Sequence, residues 1–407
     1  MPLRLRLAAL LALVLALPAC DGLVNETIPP AEPPDETVQN GVSFGRLFGE
    51  PTAAELAAVE ADWAGRNTAP SEGRVVGQAR AGGATLYVVE HETVANGSPT
   101  VTHYGIVRVP DGVADAPVVV VHHGGDGGVQ VAAFTANDGV LPFASVFAPI
   151  AAETVQVFPV YRSETVDTGA LPALGGPYTA GGAPSPWDYD VDDAIALLTA
   201  TLELFGEETD EDRVAAIGFS RGANVALLQA VRDDRIDAVV DYYGPADFYS
   251  EGAQRLTGAL LLPESNPTFQ QAIGLPGAPY LLNEVLDPLR AADDTYDADA
   301  DYGPARLDIA RRSPGLFADR LSAVQVHHHY RDGIVPFSFS EAFAARAGGA
   351  AASFELFPYG APPASAGDLS ILYHAPEAED MRPSIPTVLA FLGAELGLRA
   401  GAPVPAL

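Results

Sequence analysis

Gly218-Phe219-Ser220-Arg221-Gly222 is the stretch that decides the fold of this 407-residue chain. The residues before it, 212–217, end in the apolar run 214–217 and predict a short buried strand, and residues 223–229 have the spacing of a helix with one apolar face. A serine at a strand-to-helix turn has the geometry of a nucleophile elbow, which exposes its hydroxyl above the sheet. The backbone N–H of Arg221 would then point to where an oxyanion forms, at the positive end of the helix.

The tight turn explains why glycine occupies two positions of this pentapeptide. A side chain at Gly218 or Gly222 would crowd the turn at which strand and helix approach each other. In a chain with 40 glycines the pentapeptide by itself is a weak signal. The interpretation therefore depends on whether the other parts of a serine hydrolase follow in the right order.

A predicted helix and three consecutive strand patterns open the domain, and strand and helix patterns alternate along most of the remaining chain. This order predicts an α/β fold with a mostly parallel central sheet, antiparallel N-terminal strands and helices on both faces. Residues 250–322 interrupt the alternation with prolines and short helical pieces, and we expect this insertion to form a lid over the pocket. The predicted strands are 74–79, 84–89, 101–109, 116–121, 155–161, 214–219, 238–243, 324–329 and 354–359, and the predicted helices are 51–66, 190–205, 220–232, 337–346 and 385–398.

The charge of the chain excludes one class of partner. It has 53 acidic residues against 22 basic ones, all of them arginine, and a formal net charge of −31. Such a surface repels the phosphates of nucleic acids, so we exclude a nucleic-acid-binding role.

The N-terminus has the pattern of an export signal. Residues 1–19 combine two arginines with an apolar run too short to span a bilayer, and the run ends at Leu17-Pro18-Ala19-Cys20. This ending resembles a bacterial lipoprotein signal, which implies cleavage before Cys20, lipid attachment to its thiol and a location on the periplasmic or surface side of the cell envelope. An ordinary secretory signal with an incidental cysteine is the alternative. The acidic, proline-rich residues 20–45 are expected to form a disordered tether.

Five segments resemble parts of the α/β-hydrolase superfamily, most of all its branch of prolyl-oligopeptidase-like and dienelactone-hydrolase-like enzymes. The resemblance covers about residues 101–398 and implies one hydrolase domain, which we place at residues 46–400. It also implies a catalytic triad of Ser220, Asp332 and His374, with oxyanion amides from Gly124 or Gly125 and from Arg221. One departure is His329, which stands where the family usually has glycine. The five segments are 118–125 (Val-Val-Val-Val-His-His-Gly-Gly), 158–162 (Phe-Pro-Val-Tyr-Arg), 187–194 (Trp-Asp-Tyr-Asp-Val-Asp-Asp-Ala), 326–336 (Val-His-His-His-Tyr-Arg-Asp-Gly-Ile-Val-Pro) and 372–374 (Leu-Tyr-His).

The chemistry requires each member of this set. A serine hydroxyl is a poor nucleophile at neutral pH and needs a base within hydrogen-bond reach. His374 is the only histidine C-terminal to Asp332, so the order Ser–Asp–His identifies one residue. The carboxylate of Asp332 would fix the imidazole tautomer and stabilise the imidazolium as it forms.

Two patterns raise the alternative of a metal. The histidines at 122–123 and 327–329 lie on predicted strands, where successive side chains point to opposite faces, so neighbours cannot easily share one ion. In the acidic loop 293–301, Asp297, Asp299, Asp301 and Asp308 have the spacing of positions 1, 3, 5 and 12 of a calcium loop, but Tyr302 occupies the position that requires glycine. We predict a solvated acidic loop, no metal and no cofactor.

The sequence therefore predicts a membrane-tethered serine esterase that acts on small-molecule esters. A prolyl-oligopeptidase-like peptidase or aminopeptidase acting on short peptides is the first alternative. A binding lipoprotein that keeps the fold without the chemistry is the second. The sequence does not determine the oligomeric state, the acyl group or the leaving group.

Overall fold

A computed structural model describes residues 38–94, 100–131, 147–275, 277–291, 293, 295–365, 368–376, 378 and 380–398. Cys20, the predicted signal 1–19 and most of the predicted tether lie outside the described residues. Within the described residues, no helix is long and apolar enough to cross a bilayer.

The strands form one large sheet and two small ones. The large sheet has nine strands in the order β14-β13-β12-β11-β6-β8-β5-β4-β3, and the small ones are β1-β2 and β10-β9-β7. The strands are β1 (Val38–Gln39), β2 (Val42–Ser43), β3 (Asn67–Ala81), β4 (Ala84–Val94), β5 (Thr100–Pro110), β6 (Ala116–His122), β7 (Val129–Gln130), β8 (Val155–Pro159), β9 (Thr165–Asp167), β10 (Tyr178–Thr179), β11 (Thr209–Phe219), β12 (Ile236–Tyr242), β13 (Ala323–His329) and β14 (Ser353–Tyr359).

The predicted mixture of strand directions is confirmed. Neighbours from β14 to β8 are parallel, whereas β5, β4 and β3 add to the edge in antiparallel pairs. Every residue of β6 is buried, as expected of an uninterrupted β-branched run in the middle of a parallel sheet. The carboxyl ends of β6, β11, β12 and β13 consequently lie side by side at one edge of the sheet.

Helices cover both faces of this sheet, and two separate apolar clusters fill the spaces beneath them. Residues 281–286 form a π-helical turn, and short 3₁₀ turns occur at 172–174, 287–289, 314–320 and 371–373. The helices are α1 (Phe44–Phe48), α2 (Ala53–Ala64), α3 (Ala148–Ala151), α4 (Tyr189–Leu204), α5 (Arg221–Arg232), α6 (Glu251–Leu260), α7 (Pro267–Ala272), α8 (Ala278–Tyr280), α9 (Gly303–Arg311), α10 (Ser338–Ala347) and α11 (Ser384–Glu395).

The insertion 250–322 contains α6 to α9 and is attached to the domain through buried contacts. The guanidinium of Arg312 pairs with Asp308 at 2.5 Å and donates to the Pro186 carbonyl at 2.9 Å. Trp187, at the start of the segment 187–194, also contacts the insertion. The centroid of its ring lies 5.6 Å from that of Tyr280 in the insertion and 5.0 Å from that of Phe248 just before it. The role of the insertion as a lid stays a prediction.

Residues 38–45, which belong to the predicted tether, contact the insertion. Val42 is fully buried, and the Ser43 amide donates to the hydroxyl of Tyr302 at 2.8 Å. The side-chain amide of Gln39 donates to the Gly258 carbonyl at 2.5 Å. Residues 38–45 are ordered because they bury apolar side chains and satisfy backbone groups of the insertion.

Candidate active site

Ser220 lies in the sharp turn between β11 and α5. Its φ and ψ are 54° and −123°, a strained conformation for a residue with a side chain. Its backbone N–H donates to the Tyr242 carbonyl at 2.9 Å. A Cβ added to Gly218 would collide with the backbone of Gly222 and Ala223, and one on Gly222 would collide with the carbonyls of His122 and His123. The turn therefore has the nucleophile-elbow geometry that the pentapeptide predicts.

Asp332 and His374 are brought together from two loops. Nδ1 of His374 lies 2.6 Å from Oδ2 of Asp332. Because an ionised carboxylate only accepts hydrogen bonds, Nδ1 carries the proton and a neutral imidazole keeps Nε2 as its acceptor. This is the tautomer that a general base for serine requires.

Backbone pairing holds these two loops side by side. Ser370 pairs with Asp332 as an isolated parallel bridge, its amide donates to the Arg331 carbonyl at 2.9 Å, and its carbonyl accepts from Gly333 at 3.1 Å. The ring of Tyr373 stacks on His329 with a centroid separation of 4.0 Å and an interplanar angle of 3°. The loop that carries His374 is thus fixed to the loop that carries Asp332.

The Asp332 carboxylate is fully surrounded by polar partners. Oδ1 accepts from the amides of Ile334 at 2.7 Å and Val335 at 3.0 Å, and Oδ2 also lies 3.5 Å from Nε2 of His328. Burial by itself would raise the pKa of Asp332, but the neighbouring His374 and His328 and their hydrogen bonds outweigh it and hold the pKa well below its usual value. Asp332 is therefore ionised throughout the neutral range.

The end of β12 contacts the backbone of the serine and the ring of the histidine. Ser220 is hydrogen-bonded to Tyr242, and the ring of the next residue, Tyr243, lies 4.3 Å from the imidazole of His374. Among the described residues, no hydrogen bond joins the Ser220 hydroxyl to this imidazole. Catalytic hydrogen bonds are often long before substrate binds and tighten in the complex, so the separation is compatible with a shared site.

The predicted oxyanion residues lie beside the elbow. We call residues 123–125, which follow β6, the oxyanion turn. A Cβ on Gly124 would lie 3.0 Å from Cβ of Ser220, so the turn and the elbow are in close contact. Gly125 has a φ of 68°, and its carbonyl accepts from the Arg221 guanidinium at 3.2 Å. The backbone of Arg221 begins α5, so its N–H lies at the positive end of that helix.

Sequence reasoning missed the buried network around the Arg221 side chain. The guanidinium pairs with Glu164 at 2.7 Å and with Asp190, and it lies 4.5 Å from the ring centroid of Tyr161. Burial alone would lower the pKa of Arg221, but the Asp190 and Glu164 carboxylates outweigh it and raise the pKa. Asp190 and Tyr161 stood inside quoted motifs, but nothing in the sequence linked them or Glu164 to Arg221.

The histidines of the two strand clusters have ordinary hydrogen-bond partners. Nε2 of His122 lies 2.7 Å from Gln229, and Nδ1 of His327 lies 2.9 Å from the hydroxyl of Tyr359. Burial lowers the pKa of both imidazoles to about 3, so they are neutral. In the part of the chain that the structure describes, no three metal-ligating side chains lie close enough together to hold an ion.

The acidic loop uses its carboxylates locally. Asp297 accepts from the Asp299 amide at 2.8 Å, and Asp301 accepts from the Gly303 amide at 2.9 Å. Asp308, the last position of the calcium-loop spacing, is instead buried against Arg312. This pairing removes the ligand that the spacing requires at its final position.

The strand order and the elbow together identify the fold. Residues 187–264, which include the elbow, match the model of the family described as "Dienelactone hydrolase family". The chain has the α/β-hydrolase fold. No curated protein matches it significantly.

Solved structures to which this chain is similar include esterases and a peptidase. Acetyl xylan esterase 1 from Thermoanaerobacterium sp. JW/SL YS485 is 16% identical, with 79% of this chain and 92% of that one covered and a TM-score of 0.45. EstE1, a carboxylesterase cloned from a metagenomic library, is 15% identical over 84% and 94%, with a TM-score of 0.46. A puromycin-hydrolyzing peptidase of Mycobacterium tuberculosis is 17% identical, over 79% of this chain and 47% of that one, with a TM-score of 0.46.

Proposed function

We propose that this protein is a serine hydrolase that cleaves carboxylic esters through an acyl-enzyme. The observation that carries the proposal is the 2.6 Å contact between Nδ1 of His374 and Asp332, formed beside the strained elbow of Ser220. A histidine with its proton fixed on Nδ1 offers Nε2 as a base to the hydroxyl. The contact between Asp332 and a neutral His374 thus fixes the tautomer that activation of a serine requires.

In the first half of the reaction, Nε2 of His374 takes the proton of Ser220 while Oγ attacks the ester carbonyl. The amides of Arg221 and of Gly124 or Gly125 stabilise the oxyanion that forms. The imidazolium then gives its proton to the departing alcohol, and the acyl group stays on Ser220. Water, activated by the same imidazole, releases the acid and restores the hydroxyl.

The pairing of the buried carboxylates near the oxyanion turn favours an ester over a substrate with a free amine. Glu164 and Asp190, the buried carboxylates behind the oxyanion turn, are both paired with Arg221. A carboxylate that already has a guanidinium partner has little capacity to bind a substrate ammonium group. The aminopeptidase alternative has one supporting observation, the exposed Asp126 that directly follows the oxyanion turn.

The lipid anchor at Cys20 is part of the proposal. An acyl-modified N-terminus followed by a tether of about twenty residues would hold the hydrolase near a membrane surface. Cys20→Ala should release the protein into the soluble fraction, and metabolic labelling with a radioactive fatty acid should mark the wild type alone. Release of the wild type itself would leave an ordinary secretory signal as the explanation.

The decisive experiment is labelling with a fluorophosphonate probe. The wild type should react and Ser220→Ala should not, while Ser353→Ala, at an exposed position of the edge strand β14, should react normally. Hydrolysis of 4-nitrophenyl acetate, acetylated xylo-oligosaccharides and aminoacyl 4-nitroanilides then separates esterase from aminopeptidase activity, with Asp126→Asn affecting only the anilides. Wild-type protein that neither labels nor hydrolyses would favour a non-catalytic binding protein.

A further inference from the structure

Each of the three peptide carbonyls of the oxyanion turn lies within hydrogen-bond distance of a different side chain. The carbonyl of His123 lies 3.4 Å from the Tyr161 hydroxyl, which also lies 3.3 Å from Nδ1 of His122, and the carbonyl of Gly124 lies 3.1 Å from Nδ1 of His123. The carbonyl of Gly125 accepts from Arg221 at 3.2 Å. Because a peptide group is planar, fixing its carbonyl also fixes the direction of the N–H on the opposite side.

Those N–H groups include the proposed oxyanion donors. The carbonyl of His123 shares its peptide plane with the amide of Gly124, and the carbonyl of Gly124 shares its plane with the amide of Gly125. The side chains of Tyr161 and His123 therefore orient the two amides, and Arg221 holds the following peptide in place. Gly124 and Gly125 have no side chains that could fix the two amides, so the orientation must come from other residues.

Glu164 connects these contacts to the nucleophile. Its Oε1 lies 2.7 Å from the Arg221 guanidinium, and its Oε2 lies 3.2 Å from Nε2 of His123. The side chains of all three residues are at least 89% buried. Burial by itself would raise the pKa of Glu164, but His123 and Arg221 outweigh it and lower the pKa. Glu164 thus contacts the side chains at both ends of the turn: it is hydrogen-bonded to Arg221, which reaches Gly125, and it lies near His123 without hydrogen-bond geometry.

We propose that Arg221, Glu164 and His123 form a clamp that sets the direction of the Gly124 and Gly125 amides and so the strength with which the transition state is bound. The inference rests on the proposed serine-hydrolase mechanism. The three side chains are positioning residues, because they act on substrate only through backbone amides. An arginine is required because its planar fork can serve Glu164, Asp190 and the Gly125 carbonyl at the same time.

The chain offers a matched control on the same helix. Arg232, at the other end of α5, is also buried and also pairs with a carboxylate of α4, Asp192. Its ring contact is with Trp63 rather than with Tyr161. Arg232→Lys should therefore weaken packing to a similar extent as Arg221→Lys while leaving the oxyanion turn unchanged.

The test compares Arg221→Lys, Glu164→Gln and Arg232→Lys with the wild type on 4-nitrophenyl acetate. We expect the first two to lower kcat by about 10- to 100-fold with little change in KM, since a misdirected donor weakens transition-state binding alone. The inhibition constant of 2,2,2-trifluoroacetophenone, which forms a tetrahedral adduct with a serine, should rise by a similar factor. Arg232→Lys should keep its kcat.

The clamp is excluded if Glu164→Gln and Arg221→Lys keep the wild-type kcat, or if Arg232→Lys loses as much. Glu164→Gln keeps the shape of the side chain, so it decides the matter even if Arg221→Lys does not fold. A wild type that shows neither labelling nor hydrolysis contradicts the proposed function itself, and this result is distinct from a normal kcat in the variants.

Discussion

The carboxylate of Asp332 lies 2.6 Å from Nδ1 of His374, although 42 positions separate the two residues in the chain. The contact is held by the parallel bridge between Asp332 and Ser370 and by the hydrogen bonds on either side of it. The loops that carry Asp332 and His374 are therefore paired through their backbones, as neighbouring strands of the sheet are. Fixed geometry of this kind is what a general base needs, because displacement by about 1 Å can cost a factor of 100 in rate.

Asp332→Asn should lower kcat by about 10⁴-fold while the protein stays folded. An asparagine has nearly the shape of aspartate, so the amides of Ile334 and Val335 can still donate to its oxygen. Its NH₂ group would face Nδ1 and favour the wrong imidazole tautomer. Steady-state kinetics on 4-nitrophenyl acetate measure the loss. Asp319→Asn, at an exposed position, is the control, and an active Asp332→Asn would show that another group orients the base.

His329→Ala should lower kcat by about 10-fold with little change in KM, because the Tyr373 ring that precedes His374 loses its stacking partner. His329 is fully buried, and its Nδ1 accepts from the Arg331 amide at 2.9 Å. Burial lowers its pKa, so the ring stays neutral. His329→Phe keeps the stack and should recover most of the rate, which separates positioning from hydrogen bonding.

The neighbouring histidine gives the control for this prediction. His327 stacks on Phe357 with an interplanar angle of 6°, on the side of β13 opposite to His328. His327→Phe should change thermal stability but not kcat. Equal kinetic losses in His327→Phe and His329→Ala would mean that β13 tolerates no substitution, and the specific role of His329 would be rejected.

The sheet could be predicted from the sequence because its signals are local. Runs such as 116–121 and 214–219 are apolar throughout, which is the pattern expected of a strand that is buried on both faces of a sheet. The β1–β2 hairpin was missed because strands of two residues carry no periodicity and gain their order from the insertion.

The candidate site could be predicted only in part, because its supporting contacts are not local. The acids of the 187–194 motif indicate the start of a helix, but their arginine partners come from separate parts of the chain. Asp188 pairs with Arg66, Asp190 with Arg221, and Asp193 with Arg162. A charge pattern gives no information about which of 22 arginines will reach which carboxylate.

Gly222→Ala should destabilise the protein by about 2 kcal/mol or more, because the new methyl group would collide with the carbonyls of His122 and His123. Gly393→Ala is the matched variant, since it lies inside α11 with no atom within 4 Å of the added Cβ. There the higher helix propensity of alanine than of glycine should raise the free energy of unfolding by up to about 1 kcal/mol. Urea unfolding measures the free energy of unfolding, which should fall in Gly222→Ala and rise in Gly393→Ala. An unchanged free energy in Gly222→Ala would show that the elbow can move away from the oxyanion turn.

The contribution of Asp241 of β12 to the stability of the fold should fall as the pH rises from about 4 to 6. This carboxyl is fully buried; Oδ1 accepts from the Gly244 amide at 2.7 Å, and Oδ2 has no hydrogen-bond partner among the described residues. Burial raises its pKa to about 6, against about 3.9 in an unfolded chain. Between these values the folded protein binds more protons than the unfolded one, so the free energy of unfolding decreases with pH.

Asp241→Asn should remove this dependence, because the amide keeps an acceptor for Gly244 and has no charge to bury. Relative to the wild type, the variant should gain up to about 3 kcal/mol between pH 4 and pH 8, from a shift of about two pKa units. Urea unfolding at both pH values measures the gain. Asp287→Asn, with a carboxylate that is 71% exposed, should show no comparable change with pH. A constant difference between Asp241→Asn and the wild type from pH 4 to pH 8 would mean that Asp241 is ionised in the fold and that an unseen partner stabilises its charge.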